Sequence, residues 1–435
     1  MTPLTAVSVD SGSQHRPSTP RGPKAGLPVV AMIGGGQLAR MTHQAAIELG
    51  QSLRVLSGRD DEPAAKVCSD VVIGSHTDLE ALRAVAVGAS ALTFDHEHVP
   101  TEHLEVLVAE GVNVQPPPQA LIYAQDKLAM RRRLADLGAP VPAFAEITWA
   151  GDVVRFGDEH NWQIVIKAVR GGYDGRGVWM PTDSDEAEAI VTEQLDKGVA
   201  LMVEQKVPMR RELSAMVARS PFGQGATWPV VETVQRDGQC AVVIAPAPEL
   251  SDALALEAEQ LALRISAELG VVGSMAVELF ETTDGRLVVN ELAMRPHNSG
   301  HWTQDGARTS QFEQHLRAVL DYPLGDTTPT APVTVMANVL GAETAPEMSM
   351  DERLHHLFAR MPDAKVHLYD KGERPARKIG HVNVVGGARG SLADDAYVAA
   401  VRERAERAAH WLSHGEWTDG WDVHEGERSD GGVTR

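Results

Sequence analysis

The sequence predicts an α/β and α+β protein that begins with a doubly wound parallel sheet. Strand-like apolar runs alternate with helical segments over residues 28–120, which is typical of a parallel sheet. A glycine-rich loop follows a strand-like run at 163–169, and residues 212–340 carry long β-type runs around one clear helix at 250–269. A length of 435 residues is too great for one core, so we expect two to four domains.

The composition excludes several classes of protein. A net charge of −20 argues against non-specific binding of nucleic acid, and two cysteines, Cys68 and Cys240, are too few for a disulfide framework or a zinc module. No apolar run reaches the length of a membrane span, and residues 1–27 lack the apolar core of a secretory signal. We therefore expect a cytoplasmic protein without nucleic-acid or membrane partners, a disordered extension at 1–27 and a flexible acidic tail at 413–435.

The first strand, Val29 to Ile33, runs into three glycines and then a helix from about residue 37 to 49. Further strands are expected at 53–56, 71–73 and 91–94. Gly34, Gly36 and Ala39 fit the dinucleotide fingerprint, but that motif needs an acidic residue at the end of the second strand, which is absent at 56–58. A helix N-terminus that accepts another phosphate or polar ligand is therefore favoured over NAD.

The glycine-rich loop from Lys167 to Gly177 reads K-A-V-R-G-G-Y-D-G-R-G. Its four glycines allow backbone N–H groups to approach an anion, and Lys167 adds a positive charge. A glycine-rich surface hairpin is the alternative. The polar side chains of Tyr173, Asp174 and Arg176 favour a loop that closes over the phosphates of a nucleotide.

Residues 274–293 predict a hairpin with Asp284 and Gly285 as a two-residue turn. Pairing that is symmetric about this turn puts Glu278 directly across from Glu291, whereas a bulge would shift the register by one residue. Two carboxylates placed in this way repel each other unless something neutralises them.

A divalent cation would neutralise such a pair. Oxygen ligands suit Mg²⁺ or Mn²⁺, with phosphate oxygens completing the octahedron, and Asn290 offers a further oxygen. A solvent-facing acidic pair is one alternative. A retaining glycosidase is another, but it would have no use for a phosphate loop.

Two polar segments follow the hairpin. His297 and His301 have a spacing that hints at zinc, but this spacing aligns two ligands only on a helix, and Ser299-Gly300 opposes one. Substrate contact is favoured, and a structural loop remains open. The second segment is a basic cluster that consists of Tyr369-Asp370-Lys371, Arg374, Arg377, Lys378 and His381. It is either a solvated face or a binding site for a substrate phosphate.

Four motifs carry a resemblance to a known family: G-G-G-Q-L-A-R-M, G-G-Y-D-G-R-G, N-E-L-A-M-R-P-H-N-S-G-H-W-T and Y-D-K-x-x-R-P-x-R-K-x-G-H-x-N. In this order they resemble the ATP-grasp superfamily and, within it, the 5-(carboxyamino)imidazole ribonucleotide synthases of purine biosynthesis. The resemblance extends from about Val29 to at least Asn383, and the last two motifs separate this family from other ATP-grasp enzymes. Lys127 stands where relatives often have Arg, and Met294 where some have Pro.

The resemblance implies an ATP-grasp fold of several parts: a preATP-grasp α/β domain (28–120), a lid subdomain (121–208), a metal and nucleotide subdomain (209–340) and a C-terminal β-rich subdomain (341–412). It also implies a carbon–nitrogen ligase that uses ATP, bicarbonate and Mg²⁺ (or Mn²⁺) to carboxylate the exocyclic amine of aminoimidazole ribonucleotide through carboxyphosphate. A homodimer, and functional coupling to the mutase that uses the product, are expected in the same way.

The resemblance further implies roles for individual residues. The ATP contacts are Lys127, Lys167, Gly172, Tyr173, Asp174, Gly175, Arg176, Gly177, Glu204, Gln205, Lys206, Val207, Glu212, Gln235, Asn290 and Glu291. Glu278 and Glu291 would hold the metal. The ribonucleotide contacts are Gln37, Leu38, Glu97, Tyr173, Arg176, His297, Asn298, Lys371, Arg377 and Lys378. The catalytic set is Arg295, Lys167, Tyr173, Arg176 and His297, with Arg295 holding the carboxyphosphate anion.

Two rival functions remain open at this point. One is a formate-dependent glycinamide ribonucleotide transformylase, which has a similar fold and acyl-phosphate chemistry. The other is a non-catalytic nucleotide-binding protein of the same fold, which the presence of Lys167, Glu278, Glu291 and Arg295 disfavours.

Overall fold

The structure is a computed structural model that describes residues 26–172, 177–387 and 394–421. The expected disorder of residues 1–25 and 422–435 falls outside the described residues. Within the described ranges, no helix is both long and apolar enough to cross a membrane.

The N-terminal domain is a four-stranded parallel sheet in the order β3-β2-β1-β4. Its elements are β1 (Val29–Ile33), α1 (Gln37–Glu48), β2 (Ser52–Ser57), β3 (Asp70–Ile73), α2 (Leu79–Ala86), β4 (Ala91–Phe94) and α3 (Thr101–Ala109). All five residues of β1 are buried, because helices cover both faces of a parallel sheet. The predicted doubly wound sheet is confirmed.

A second, antiparallel sheet forms the small α+β unit that contains the glycine-rich loop. Two helices, α4 (Pro118–Gln125) and α5 (Lys127–Asp136), lead into it. Its elements are β5 (Phe144–Ile147), α6 (Ala150–Glu159), β6 (Ile164–Ala168), β7 (Val178–Trp179), α7 (Ser184–Asp196) and β8 (Leu201–Gln205). The strands lie in the order β5-β8-β6-β7, so the loop joins β6 to its neighbour β7.

A nine-stranded sheet makes up the rest of the fold, in the order β14-β13-β9-β11-β12-β15-β17-β16 with β10 paired to β9. The strands are β9 (Met209–Arg219), β10 (Gly225–Thr227), β11 (Val231–Arg236), β12 (Gln239–Ala245), β13 (Gly273–Thr282), β14 (Leu287–Ala293), β15 (Thr334–Leu340), β16 (Lys365–Leu368) and β17 (Lys378–Val385). The helices of this part are α8 (Asp252–Glu268), α9 (Thr303–Gly306), α10 (Gln311–Val319), α11 (Met350–Arg360) and α12 (Asp395–His414). A single sheet therefore runs from the paired carboxylates to the C-terminal strands.

The C-terminal part, which was expected to be β-rich, contains helices α11 and α12 beside its strands. Its last residues depart from the sequence prediction. The first residues of the tail expected to be flexible from residue 413 are packed, since α12 extends to His414 and Trp417 is 6% exposed. Trp417 stacks on Trp411 with ring centroids 4.5 Å apart, and the guanidinium of Arg360 lies 4.2 Å from the Trp417 ring. Acidic composition predicted disorder here, but burial of one large aromatic ring outweighs it.

Helix α10 joins the N-terminal domain to the large sheet. Its apolar side packs on α1, while its first turn lies against strands β9 and β13. The buried apolar cluster between α1 and α10 includes Leu38, Met41, Ala45, Phe312, Leu316 and Val319. The relative placement of the two domains therefore depends on this cluster.

We expect Phe312→Ala to lower the free energy of unfolding by about 3–5 kcal/mol, because Phe312 is 1% exposed and its removal leaves a cavity at the domain junction. Urea denaturation followed by tryptophan fluorescence measures this change. Phe358→Ala is the matched control: Phe358 is 45% exposed on α11, and its loss should cost less than about 1 kcal/mol. Equal losses in the two variants would contradict the assigned role of the cluster.

Candidate active site

The hairpin of β13 and β14 brings Glu278 and Glu291 opposite each other, as predicted, but by a different route. Near the turn, Phe280 pairs with Val288, a register that belongs to a three-residue loop rather than the predicted two-residue turn. A register shift between Glu278 and Leu279 then adds one residue on β14 at Asn290 and restores the carboxylate pair. The prediction of the turn was wrong and the prediction of the pair was right, because the bulge compensates for the longer loop.

Strand β9 extends the same polar face. Ser214 on β9 pairs with Glu278 on β13, and Glu212 on β9 pairs with Phe280 on β13. The alternate residues of these strands, including Leu213, Val277 and Leu279, point into the main apolar core. One side of the three strands is thus fixed by packing, and the other presents carboxylates to a cleft.

Positive charges lie directly against these carboxylates. The Lys127 ammonium is 2.5 Å from Glu291 Oε1. The Lys167 ammonium is 2.7 Å from Glu204 Oε2 and donates to Asn290 Oδ1 at 3.3 Å. Arg131 binds the other oxygen of Glu204 at 2.5 Å, in an ion pair whose side chains are almost completely buried.

Burial and charge oppose each other in this group. Burial lowers the pKa of Lys167, and the neighbouring Glu204 carboxylate offsets only part of that decrease. Burial raises the pKa of Glu204, but the charges of Arg131 and Lys167 outweigh it and leave the carboxyl below its ordinary value. Glu204 is therefore held as an anion, and Lys167 is fixed in place by an ion pair at the end of β6.

These groups line a cavity of about 760 Å³ between the small antiparallel sheet and the large sheet. The predicted residues that line it are Glu97, Lys127, Lys167, Gly172, Glu204, Gln205, Lys206, Val207, Glu212, Gln235, Glu278, Asn290, Glu291, Arg295, His297, Asn298 and Lys378. Apolar walls come from Val165, Val178, Met180, Phe280 and Leu292. The cavity combines an apolar slot with a charged end, as a nucleotide requires.

His297 and Arg295 stand at the charged end of this cavity. His297 Nε2 is 3.1 Å from Glu278 Oε1, and Arg295 Nε donates to Glu97 Oε2 at 2.8 Å. Burial raises the pKa of Glu278, whereas the hydrogen bond from His297 and the charges of Lys127 and Arg295 lower it below its ordinary value. Glu278 is therefore ionised and able to bind a cation.

A second cavity, of about 800 Å³, lies at the carboxyl end of the parallel sheet. The glycine turn at 34–36 lines it, and so do the predicted residues Lys371 and Arg377. Lys371 donates a hydrogen bond to the Gln37 side chain, which ties the C-terminal part to the start of α1. Leu38 is 6% exposed, and its side chain belongs to the apolar core rather than to the cavity.

The remaining predicted residues lie in or beside the glycine-rich loop. Tyr173, Asp174, Gly175 and Arg176 fall outside the described residues. On either side of these residues, the Ala168 amide donates to the Gly177 carbonyl at 2.8 Å.

The residues present suit Mg²⁺. Glu278, Glu291 and Asn290 offer hard oxygen donors, which Mg²⁺ prefers. Among the described residues no group of three His, Cys, Asp or Glu side chains forms a metal site, so phosphate oxygens and water would have to complete the coordination. The zinc alternative has no support, since His297 faces Glu278 while His301 contacts Gln311.

Three neighbours of the predicted residues were missed. Arg131 lies four residues after Lys127 on α5. Helical spacing places both residues on one face of the helix, and this signal could have identified Arg131. Asp95 accepts a hydrogen bond from the Gly36 amide at the N-terminus of α1, a position that was predicted to accept an external anion. Gln311 contacts the backbone of His297, and no local pattern indicates such a contact.

Models of three protein families match consecutive parts of the chain. The Ribonucleotide synthetase preATP-grasp domain matches residues 27–125, and the ATP-grasp domain matches residues 132–312. The Phosphoribosylaminoimidazole carboxylase C-terminal domain matches residues 334–395.

Individual proteins match over nearly the whole chain. An N5-carboxyaminoimidazole ribonucleotide synthase from Mycobacterium leprae is 67% identical over 407 residues, covering 91% of this chain and 92% of the relative. A crystal structure of an N5-carboxyaminoimidazole ribonucleotide synthetase in complex with ADP has a TM-score of 0.78 at 31% identity, covering 88% and 97%. The enzyme from Aspergillus clavatus in complex with ADP and 5-aminoimidazole ribonucleotide has a TM-score of 0.75 at 31% identity, covering 82% and 94%.

The raised pKa of the Asp95 carboxyl should be measurable in the pH dependence of the free energy of unfolding. Burial raises the pKa of its carboxyl to about 6, against the opposing charge of Arg295. Because this value lies above the ordinary value in an unfolded chain, ionisation of Asp95 reduces stability as the pH rises from about 4 to about 6. Asp95→Asn keeps an acceptor for the Gly36 amide and cannot ionise.

We expect the free energy of unfolding of Asp95→Asn, relative to the unsubstituted protein, to increase by about 1 kcal/mol between pH 5 and pH 7.5. Urea denaturation across this range measures the difference. Asn113→Gln, at an exposed position and without an ionisable group, is the control and should show a difference that does not change with pH. A constant difference for Asp95→Asn as well would rule out the raised pKa.

Proposed function

The chain belongs to the N5-carboxyaminoimidazole ribonucleotide synthase family of ATP-grasp ligases, and from this premise we propose the reaction and the residue roles that follow. The protein uses ATP and bicarbonate to carboxylate the exocyclic amine of 5-aminoimidazole ribonucleotide. The products are 5-(carboxyamino)imidazole ribonucleotide, ADP and phosphate, as a step of purine biosynthesis in the cytoplasm.

One observation supports this proposal above the others. A single cleft contains the carboxylate pair Glu278 and Glu291, the ammonium groups of Lys127 and Lys167, and Arg295. Carboxylates with lysines suit a nucleoside triphosphate, and a guanidinium beyond them suits a second anion. Transfer of a phosphoryl group to an oxyanion requires both sites side by side.

ATP would lie with its base against the apolar walls and its phosphates toward Glu291. Residues 204–207 would frame the adenine, and Glu212, which accepts a hydrogen bond from Gln235 at 2.9 Å, would bind the ribose. Lys127 and Lys167 would bind the phosphates and offset the charge that develops during transfer. The loop at 167–177 would close over them and exclude water.

Glu278 and Glu291, with Asn290, would hold Mg²⁺, which supplies charge neutralisation between the phosphates when bound. The carboxylates themselves contribute the geometry, because strand pairing fixes them directly across from each other. Lys127 also contacts Glu291 and therefore orients one of the two ligands.

Bicarbonate oxygen would attack the γ-phosphorus of ATP, forming carboxyphosphate as ADP leaves. Arg295, oriented by Glu97, would bind this mixed anhydride, and the closed loop would protect it from hydrolysis. The exocyclic amine then attacks the carbonyl carbon, the bond to the phosphate oxygen breaks, and the phosphate takes up the amine proton.

The ribonucleotide would extend from the first cavity to the second. Lys371, Arg377 and Lys378 would bind its phosphate, with Gln37 and Leu38 at the glycine turn, where the buried Leu38 side chain leaves only its backbone for the contact. Its aminoimidazole would lie near Glu97, His297 and Asn298, with Tyr173 and Arg176 of the loop completing the site. A homodimer, and coupling to the mutase that uses the unstable product, belong to the same proposal.

We expect ADP release with Mg²⁺-ATP and bicarbonate to rise strongly when aminoimidazole ribonucleotide is added. Glycinamide ribonucleotide with formate should give no increase, and labelled bicarbonate should appear in the product. An increase with the second pair alone would assign the chain to the transformylase reaction. No increase with either, in folded protein that binds ATP, would favour a non-catalytic nucleotide-binding protein.

We expect Glu291→Gln to lower turnover by about 100-fold at saturating Mg²⁺, because it removes one ligand charge without changing the side-chain shape. ADP release and binding of Mn²⁺ in the presence of ADP, followed by electron paramagnetic resonance, measure the two consequences. Asp284→Asn, on the exposed turn of the same hairpin, is the control and should retain both properties. Near-normal turnover and Mn²⁺ binding in Glu291→Gln would show that Glu291 is not a metal ligand.

A further inference from the structure

The side chain of Gln311 pairs with the backbone of His297 through two hydrogen bonds. Gln311 Oε1 accepts from the His297 amide at 2.8 Å, and Gln311 Nε2 donates to the His297 carbonyl at 2.8 Å. The side-chain amide thus acts as a neighbouring strand would, although it comes from the first turn of α10. Gln311 is 0% exposed, so its side-chain amide has no access to bulk water as an alternative partner.

A third hydrogen bond fixes the orientation of this amide. Gln311 Nε2 also contacts His301 Nδ1 at 3.0 Å. Burial lowers the pKa of His301 well below its ordinary value, so its ring is neutral and Nδ1 can accept a hydrogen bond from Gln311 Nε2. A flipped amide would bring its NH₂ group against the His297 amide and its oxygen against the His297 carbonyl, which would lose both bonds.

The backbone segment that begins at His297 contains too little regular secondary structure to fix its own conformation. Residues 298–300 form one 3₁₀ turn between a strand and a short helix. A Cβ on Gly300 would lie 2.5 Å from Gln311 Oε1, so the backbone passes as close to the amide as glycine permits. The turn takes its position from side-chain contacts.

The same contacts determine where the His297 ring points. Its Nδ1 lies 2.9 Å from the Ser299 hydroxyl, which in turn lies 2.7 Å from the hydroxyl of Ser214 on β9. Its Nε2 faces Glu278 at 3.1 Å. The backbone of His297 is held from the α10 side and its ring from the β9 side.

We propose that Gln311 is a positioning residue that fixes the backbone of His297, and through it the imidazole, at the end of the cleft where the ribonucleotide amine is carboxylated. This inference rests on the function proposed above, in which His297 contacts the ribonucleotide. Without Gln311, the partly buried N–H and C=O of His297 lose their partners, and the turn moves to satisfy them.

Helix α10 contains a matched control. Gln314 makes the same pair of bonds, donating to the Gly325 carbonyl at 2.9 Å and accepting from the Gly325 amide at 2.7 Å. It is also 0% exposed. Gly325 lines neither of the two cavities, so Gln314 fixes a backbone segment that the proposed reaction does not use.

The test compares Gln311→Met with Gln314→Met. Each substitution keeps the length of the side chain and leaves one partly buried backbone N–H and one C=O unpaired, so the two should lose similar stability. Gln311→Met also removes the contact with His301 Nδ1. We expect Gln311→Met to lower kcat/KM for aminoimidazole ribonucleotide about 10- to 100-fold relative to Gln314→Met. KM for ATP should change less than about twofold, because the adenine and phosphate contacts lie on other elements.

Hydrogen exchange supplies a readout that does not depend on turnover. The His297 amide should exchange faster in Gln311→Met and at the unsubstituted rate in Gln314→Met. Equal losses of activity in the two variants, or unchanged exchange at His297 in Gln311→Met, would overturn the positioning role. If neither Met variant folds, Gln311→Glu and Gln314→Glu replace them, since each retains one acceptor and loses the donor.

Failure of the proposed function is distinguishable from failure of this inference. An unsubstituted protein whose ADP release does not respond to aminoimidazole ribonucleotide would refute the reaction itself. A responsive protein in which Gln311→Met behaves like Gln314→Met would refute only the positioning role.

Discussion

The pairing of β13 with β9 is the constraint on which the rest of the active cleft depends. It runs over ten residue pairs and fixes which side chains of both strands face the cleft. Apolar residues such as Leu213 and Val277 point the other way and would have to leave the core if the register slipped by one residue. Burial on one face therefore determines the positions of Glu212 and Glu278 on the other. Glu291 is positioned in turn by the pairing of β14 with β13, and His297 is positioned by the hydroxyls of Ser214 and Ser299.

Much of this arrangement could be predicted from local sequence, and the exceptions have physical causes. Strands β1 and β4 were predicted with correct bounds because their apolar runs end at clear breakers. The carboxylate pair was predicted. The longer loop and the compensating bulge at Asn290 were not, because no residue pattern in the sequence indicates them. Helix α10 was missed although Ser310 and Glu313 form an N-terminal capping pattern and Phe312, Leu316 and Val319 recur at helical spacing, because the surrounding residues were interpreted as β-type runs.

Long-range contacts were the part that the sequence did not provide. Arg131 was within reach of reasoning from helical spacing, but its partner Glu204 lies 73 residues further along the chain. The contact of Gln311 with His297 depends on how α10 docks against β9 and β13, which only the assembled fold specifies. The roles of individual site residues came from motif resemblance, and the geometry now gives physical reasons for several of them. Lys127 and Lys167, for example, are held by carboxylates at the charged end of the cleft.

In a cleft that binds several anions, the residues that hold the binding groups in place should not add further charge. Ion pairs hold Lys167 and Arg295 in place, but each of those partners also changes the local field. A neutral side-chain amide holds a group in place without adding a net charge. Gln311 satisfies a backbone donor and a backbone acceptor at once, and a carboxylate in its place would face the His297 carbonyl with like partial charge. Glutamine suits the backbone that it binds, because its side-chain amide pairs with both groups of one residue and adds no net charge between Glu278 and Arg295.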